Sequence, residues 1–276
     1  MRRIKDSSFR LWVFCIVLIT ASSVALIKTP PAYAYGRIVV LYAAASPILK
    51  ELGAGNKVVG ITRTDKTFDD AVKLGSHLKP NLELINALRP DLIVAGSVRA
   101  FPREMAERVK ADVFYYDPRS LEDILVKITD LGRLLGKEQE ASVLVKRLRE
   151  KLSSVTVLSK RPSVIYEISS KSLRVAGSRS IITSIIEAAG GVNAVKVQKK
   201  HVLLSPEKVL ELNPDFYIYQ VGPMNRNPEP PLKRPFFRSL HSKVVEVPEL
   251  KFARPGINAF EAVIDLNKIF RGEDNE

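Results

Sequence analysis

The stretch Pro80-Asn-Leu-Glu-Leu-Ile-Asn-Ala-Leu-Arg-Pro-Asp-Leu-Ile-Val-Ala-Gly96 decides the fold, because its pattern returns once, between Pro206 and Tyr219. The first copy runs from Glu83 through apolar Ile85 and Leu88 to Pro90-Asp91 and the strand-like Leu92-Ile93-Val94. The second runs from Glu207 through Val209, Leu210 and Leu212 to Pro214-Asp215 and Phe216-Tyr217-Ile218. Each reads as a short amphipathic helix stopped by proline, a tight turn and a buried strand. Glutamate, proline and aspartate all recur at an offset of 124 residues, so two related α/β halves are expected rather than a solenoid of short repeats.

Outward from the first copy, Arg37 to Tyr42 reads as a buried strand, and Ser46-Pro47 as an N-cap with proline at the first helical position. Gly53 and Gly55 close that helix. This Gly-Ala-Gly is no nucleotide loop, since it follows a helix instead of linking a strand to one. Val58 to Thr62 is the next strand, and residues 63–82 form a long polar connection of the kind that carries function. A helix over Pro102 to Val109 and a strand over Val113 to Tyr116 complete the first half. Strands alternating with helices predict parallel sheet.

Between the halves, Leu121, Ile124, Leu125, Ile128, Leu131 and Leu135 follow the helical period, Gly136 interrupts it, and Val143, Leu144, Leu148 and Leu152 resume it. Two long helices without a strand make a stiff connector. Pro162 to Ile168 then restarts the series of strand, loop (Gly177-Ser178-Arg179-Ser180), helix (Ile181 to Ala189) and Gly190-Gly191 stop. Val244 to Val247 is a late strand and Ala259 to Phe270 a closing helix. The expected division is a leader over residues 1–34, an N-terminal α/β lobe over 35–119, a helical connector over 120–160 and a C-terminal α/β lobe over 161–276.

The leader reads as a secretory signal: basic Arg2, Arg3, Lys5 and Arg10, an apolar run from Leu11 to Ile27, and a small-residue site at Ala32-Tyr33-Ala34 with cleavage after Ala34. An uncleaved membrane anchor is the alternative. Cys15, the one cysteine, lies in that run and lacks the small residues that precede a lipidated cysteine, so the exported chain is expected to carry no thiol, disulfide or lipid. Beyond residue 34, 38 Lys and Arg stand against 29 Asp and Glu, a formal charge of +9. The cations are scattered and no aromatic-basic motif accompanies them, which argues against nucleic acid and for an anionic ligand or membrane surface.

The chain resembles the cleft-type substrate-binding proteins of bacterial ABC importers (class III), whose two lobes are joined by a rigid helix and which serve ferric siderophores, haem and cobalamin. The resemblance is carried by Arg37-Ile-Val-Val-Leu, Val58-Val59-Gly60-Ile61-Thr62, Pro80-Asn81-Leu82-Glu83, Arg89-Pro90-Asp91-Leu92-Ile93, Ala189-Gly190-Gly191-Val192-Asn193 and Ser205-Pro206-Glu207 with Pro214-Asp215. It spans about residues 37–270. It implies two α/β lobes with mostly parallel sheets joined by a long linker helix. It also implies that Glu83 and Glu207 dock on arginines of the transporter's membrane subunits. A carboxylate near a helix N-terminus is common for dipole reasons alone; two at equivalent positions favour docking.

His77 and His201 each stand six residues before those glutamates. In cobalamin-binding relatives the same positions hold aromatic residues that grip the ligand. Imidazole can ligate metal, stack on a flat ring or, protonated, pair with a carboxylate. His241 has no counterpart and is expected at the surface. Arg63, Arg99, Arg179 and Arg254 lie on loops at or after strand ends, where α/β sheets bind ligands, and the guanidinium fork suits carboxylates. Tyr42 and Tyr219 are aromatic wall candidates; Tyr116, at a strand end, is expected in the core.

The expected function is capture of a metal chelate, an iron siderophore or haem, and delivery to a membrane permease. The expected protein is a monomer in the periplasm, without cofactor, resident metal or nucleic-acid partner. A cobalamin receptor of the same fold is the alternative; the only tryptophan, Trp12, lies in the leader. A receptor for bare zinc or manganese would need more convergent histidines than three offer. A secreted α/β enzyme is disfavoured because no Gly-x-Ser-x-Gly, His-Glu-x-x-His or phosphate loop is present.

Overall fold

The structure is a computed structural model that describes residues 35–273; the leader lies outside the described residues. In chain order the elements are β1 (Ile38–Val40), α1 (Ser46–Glu51), β2 (Val58–Ile61), β3 (Val72–Lys73), β4 (Gly75–Ser76), β5 (Lys79–Pro80), α2 (Leu82–Leu88), β6 (Leu92–Ala95), α3 (Arg103–Val109) and β7 (Asp112–Tyr115). The middle holds α4 (Leu121–Leu135) and α5 (Glu138–Ser153). Then come β8 (Ser163–Ser169), β9 (Arg174–Ala176), α6 (Ile181–Ala188), β10 (Val192–Asn193), β11 (His201–Leu203), α7 (Pro206–Leu212), β12 (Phe216–Val221), β13 (Lys243–Pro248), α8 (Glu249–Phe252) and α9 (Asn258–Arg271).

The first half forms a wholly parallel sheet in the order β3-β2-β1-β6-β7. The second forms β11-β9-β8-β12-β13, with β10 also on β8. There β8, β12 and β13 are parallel, while β9 and β11 turn antiparallel. Both α/β halves with mostly parallel sheets are therefore as expected.

The duplication is physical as well as textual. Asn81 and Ser205, 124 residues apart, both cap their helices: the Asn81 Oδ1 accepts from the Leu84 N–H at 3.1 Å and the Ser205 Oγ from the Lys208 N–H at 3.3 Å. Both helices end on a left-handed residue before proline, Arg89 at φ 45° and Asn213 at φ 38°. The next aspartate then ties down the start of the neighbouring strand. Asp91 accepts from the N–H groups of Gly36 and Arg37 at 2.6 and 3.0 Å, and Asp215 from the Ser163 N–H at 2.7 Å.

Each sheet buries both faces, as parallel strands do. Ile38, Val40, Leu92 and Val94 on one sheet, and Val164, Tyr166 and Ile168 on the other, belong to one apolar cluster with the buried faces of α4, α5, α6 and α9. The alternate residues Val39, Leu41 and Ile93 pack beneath α2 and α3; Ile165, Tyr217 and Tyr219 make the corresponding outer cluster. That second outer face also encloses an ion pair. Arg234 donates two hydrogen bonds to Glu167, at 2.5 and 2.9 Å, and the Tyr217 hydroxyl donates a third at 2.5 Å.

The connector is the two helices read from the sequence, folded on each other as a hairpin: Glu122 near the start of α4 meets Arg149 near the end of α5 at 2.6 Å. Gly132 permits it, since a Cβ there would lie 2.4 Å from the Ala141 Cβ. Three expectations change. Ser46 is not the N-cap; Ala45 precedes the helix and the buried Ser46 hydroxyl donates instead to Asp65. The connection over 63–82 contains an edge strand, β3, and the hairpin β4–β5, too short and exposed to show a strand period. In the second half, antiparallel β9 and β11 depart from the simple strand-helix alternation, because β9 turns back directly from β8 through one turn of 3-10 helix.

Candidate functional site

Tyr42 lies just beyond β1, half-buried, with its ring centroid 6.2 Å from Tyr116 and 6.0 Å from His77. Burial and the nearby Asp117 carboxylate push its phenol up to about 12, against the pull of Arg254 and Arg119. Tyr116 is wholly buried, as expected of a core residue, and its hydroxyl donates to the Pro255 carbonyl at 2.7 Å. That bond, 139 residues long in sequence, carries the segment holding Arg254 from the end of the chain to the first half. His77 is presented at the turn of the β4–β5 hairpin.

On the second half, His201 opens β11, opposite Ala176 of β9. The loop before it, Val197–Lys200, is laced to Gly177–Arg179: the Gly177 N–H donates to the Lys200 carbonyl at 3.1 Å and the Arg179 N–H to the Lys199 carbonyl at 3.2 Å. A Cβ at position 177 would stand 2.2 Å from the Lys199 oxygen, so only glycine lets the two loops close. Together with the segment after β7 they line a concavity of about 580 Å³ between Asp117, Arg119, Arg179, Gln198, Lys199 and Lys200.

Lys200 is the common neighbour. Burial lowers the His77 pKa, and Lys200 and Arg254 lower it further. Burial, then Lys200, Arg174 and Arg119, hold His201 at about 4. Lys200 is itself pulled down by burial, with Asp117 opposing. Both imidazoles are therefore neutral near pH 7, with a nitrogen lone pair free to face a metal or a ring face to stack, and neither offers the positive charge a carboxylate needs. That charge comes from the lysines and arginines.

Of the candidates read from sequence, Tyr42, His77, Arg254, His201 and Arg179 thus come together around Lys200. Arg63 and Arg99 are exposed on the loops after β2 and β6. Tyr219 lies elsewhere. It is 6 % exposed within the outer cluster, and its hydroxyl donates to Glu246 at 2.7 Å. Its position along β12 gives the reason, since alternate residues face opposite sides of the sheet. Glu83 and Glu207 are exposed in the first turns of α2 and α7, and the Ser205 hydroxyl holds the Glu207 carboxyl below its ordinary range. His241 is exposed, as expected. Asp117, Arg119, Arg174, Lys199 and Lys200 were missed. The run Lys199-Lys200-His201 was the available signal, a basic pair abutting a site histidine. Among the described residues no group of three His, Cys, Asp or Glu is placed to hold a metal ion, and no helix is long and apolar enough to cross a membrane.

Residues 38–228 match the family model described as periplasmic binding protein. The chain belongs to that family. It is 26% identical over 249 residues to the uncharacterized ABC transporter substrate-binding lipoprotein YvrC of Bacillus subtilis, covering 83% of this chain and 78% of the relative. It is 25% identical over 172 residues to the high-affinity heme uptake system protein IsdE of Staphylococcus aureus, covering 58% of this chain and 59% of that protein, less than two thirds of its length. In fold it is similar to a possible iron-binding (periplasmic solute-binding) protein of Staphylococcus epidermidis, with a TM-score of 0.72 and 23% identity over 86% of this chain and 99% of that one. The two-lobed architecture is thus that of periplasmic binding proteins.

Proposed function

We propose that this periplasmic binding protein is the receptor of an ABC importer, which holds an iron siderophore or haem between its halves and passes it to a membrane permease. The observation that supports the reading most is the 3.9 Å approach of Lys200, next to His201, to Asp117 beyond β7, where loops of the two halves meet. Neutral imidazoles, the Tyr42 ring and a surplus of cations suit a metal chelate with a flat or anionic body. The name of the S. aureus relative, a haem uptake protein, agrees with this. Cobalamin is the weaker alternative, since the histidines stand where its receptors carry aromatic residues. Capture needs no bond-making, and no catalytic role is assigned to any residue.

Glu83 and Glu207, duplicated and exposed, are the proposed contacts for the permease. Residues 1–34 are proposed to direct export, placing a monomer in the periplasm, and the domain limits 35–119, 120–160 and 161–276 are proposed as the two lobes and their connector. A thermal-shift screen with haemin, ferrichrome and cobalamin tests the function. A ligand at a hundred times its dissociation constant stabilises by about 2.7 kcal/mol, a rise of roughly 5–10 °C for a chain of this size. No shift with any of the three chelates would remove the proposal.

A further inference from the structure

The connection from β12 to β13 pins one segment to the outer face of the second sheet and leaves apolar side chains of that segment in water. Two single turns of 3-10 helix follow one another there, Pro231–Lys233 and Pro235–Phe237. Two residues peg them down. Arg234 reaches Glu167 and also donates from Nε to the Glu229 carbonyl at 2.9 Å, and the buried Phe237 ring lies 5.4 Å from that of Tyr217. Around these pegs Leu232 and Phe236 are 54 and 47 % exposed, with Lys233, Pro235 and Arg238 exposed beside them. From Arg226 to Lys243 the connection carries five Lys and Arg against one acid, Glu229, and of the five only Arg234 is buried.

The first half shows that the fold does not require such a surface. At the corresponding place, after β6 and beside α2, stands α3, whose exposed Arg103, Glu104, Glu107 and Arg108 balance in charge and whose exposed residues include no large apolar side chain. We infer that Leu232 and Phe236, with Lys233 and Arg238, form a docking surface for the anionic headgroups of a lipid bilayer. Apolar side chains held at a surface mark an interaction site. Flanking cations of one sign complement phosphate headgroups, while the leucine and phenylalanine enter the boundary with the acyl chains. The segment also packs beside α7, where Phe237 shares a cluster with Val209. Glu207 of that helix is the proposed permease contact, so the surface next to it faces the lipid around the permease. The inference goes beyond capture of a chelate and requires neither ligand nor permease.

The test uses tryptophan fluorescence, because Trp12, the only tryptophan, lies in the leader and W12F clears the background. Purified full-length W12F/F236W is titrated with vesicles of brominated phosphatidylglycerol. The control is W12F/V157W, since Val157 is 92 % exposed on the loop from α5 to β8. Quenching is expected in F236W and not in V157W, and in neither with brominated phosphatidylcholine. With each cation contributing about fivefold to partitioning, adding K233Q/R238Q should raise the vesicle concentration for half-quenching about thirtyfold. An unquenched F236W would overturn the docking surface. Equal quenching at the two positions would do the same, because attachment through the leader alone gives that result. Quenching that appears only in vesicles carrying the permease would make the surface a protein contact and overturn the lipid assignment. Each of these outcomes leaves capture standing, because capture is read by chelate binding and not by vesicles.

Discussion

Asp117, just beyond the last strand of the first sheet, and Lys200, just before β11 of the second, stand 3.9 Å apart across 83 residues of chain. This contact joins the two halves beside His201 and ties up charges that, under the proposed capture, a bound anion would use. Substituting Asp117→Asn removes the competitor. Exposed ion pairs contribute about 0.2–1 kcal/mol, so the affinity for haemin should rise by up to about fivefold. Weaker binding in calorimetry would show instead that Asp117 holds Arg119 in position for the ligand.

The histidine pair has a direct test. H77A/H201A should reduce affinity for the bound chelate at least about tenfold, equivalent to about 1.4 kcal/mol, without shifting the melting temperature of the empty protein downward. Because both rings are neutral near pH 7, the loss should be the same at pH 7 and pH 8. Undiminished affinity in the double variant would remove both rings from the site.

His201 also makes stability depend on pH in a definite direction. The unfolded chain takes up its proton near 6.5, the folded chain only near 4. The unfolded state therefore binds more protons between those values, and stability present above about 6.5 is lost as pH falls through the window. The ring is half open to water, so the full linkage value is discounted to about 1 kcal/mol, or roughly 2–4 °C. Melting curves of the native chain and H201Q at pH 7 and 4.5 should differ by this amount in slope. Parallel behaviour of the two proteins would contradict it.

Glu83 and Glu207 call for a transport measurement. Charge pairs that become close and desolvated at an interface couple by about 1.5–7 kcal/mol, whereas neither carboxylate has an ion pair among the described residues to lose. E83K/E207K should therefore abolish uptake in vesicles containing the permease while leaving ligand affinity intact. Loss of ligand binding in that variant would place the two residues in the site instead.

The Glu167–Arg234 pair is the place where a single change does most harm. Both side chains are nearly inaccessible, at 0 and 4 % exposure, and removing one partner strands a buried charge, at a cost of about 3–5 kcal/mol. R234M should lower the midpoint of urea unfolding accordingly, and E167Q/R234M should recover much of the loss because neither charge remains. An R234M protein as stable as the native chain would contradict the buried pairing.

The fold was legible because the repeat is local. Caps at Asn81 and Ser205, left-handed stops at Arg89 and Asn213, and anchoring aspartates at 91 and 215 each act within a few residues or on the adjoining strand, and all lie 124 residues apart. Helix α4 buries every apolar residue its period marks. The site was only partly legible because it is assembled from loops distant in sequence. His77 and His201 carried a positional clue, and Lys200 one through its place beside His201; Asp117 and Arg119 carried none until β7 was placed. Tyr219 was misread because its side of β12 depends on register.

The apolar cluster that begins at Ile38 in one sheet and ends at Val164 in the other, through α4, α5, α6 and α9, has a mechanical consequence. Spreading the halves would strip oil-like surface into water along the whole seam, so the seam holds them at nearly one arrangement. Under the proposed capture reading, release needs outside work that pries it.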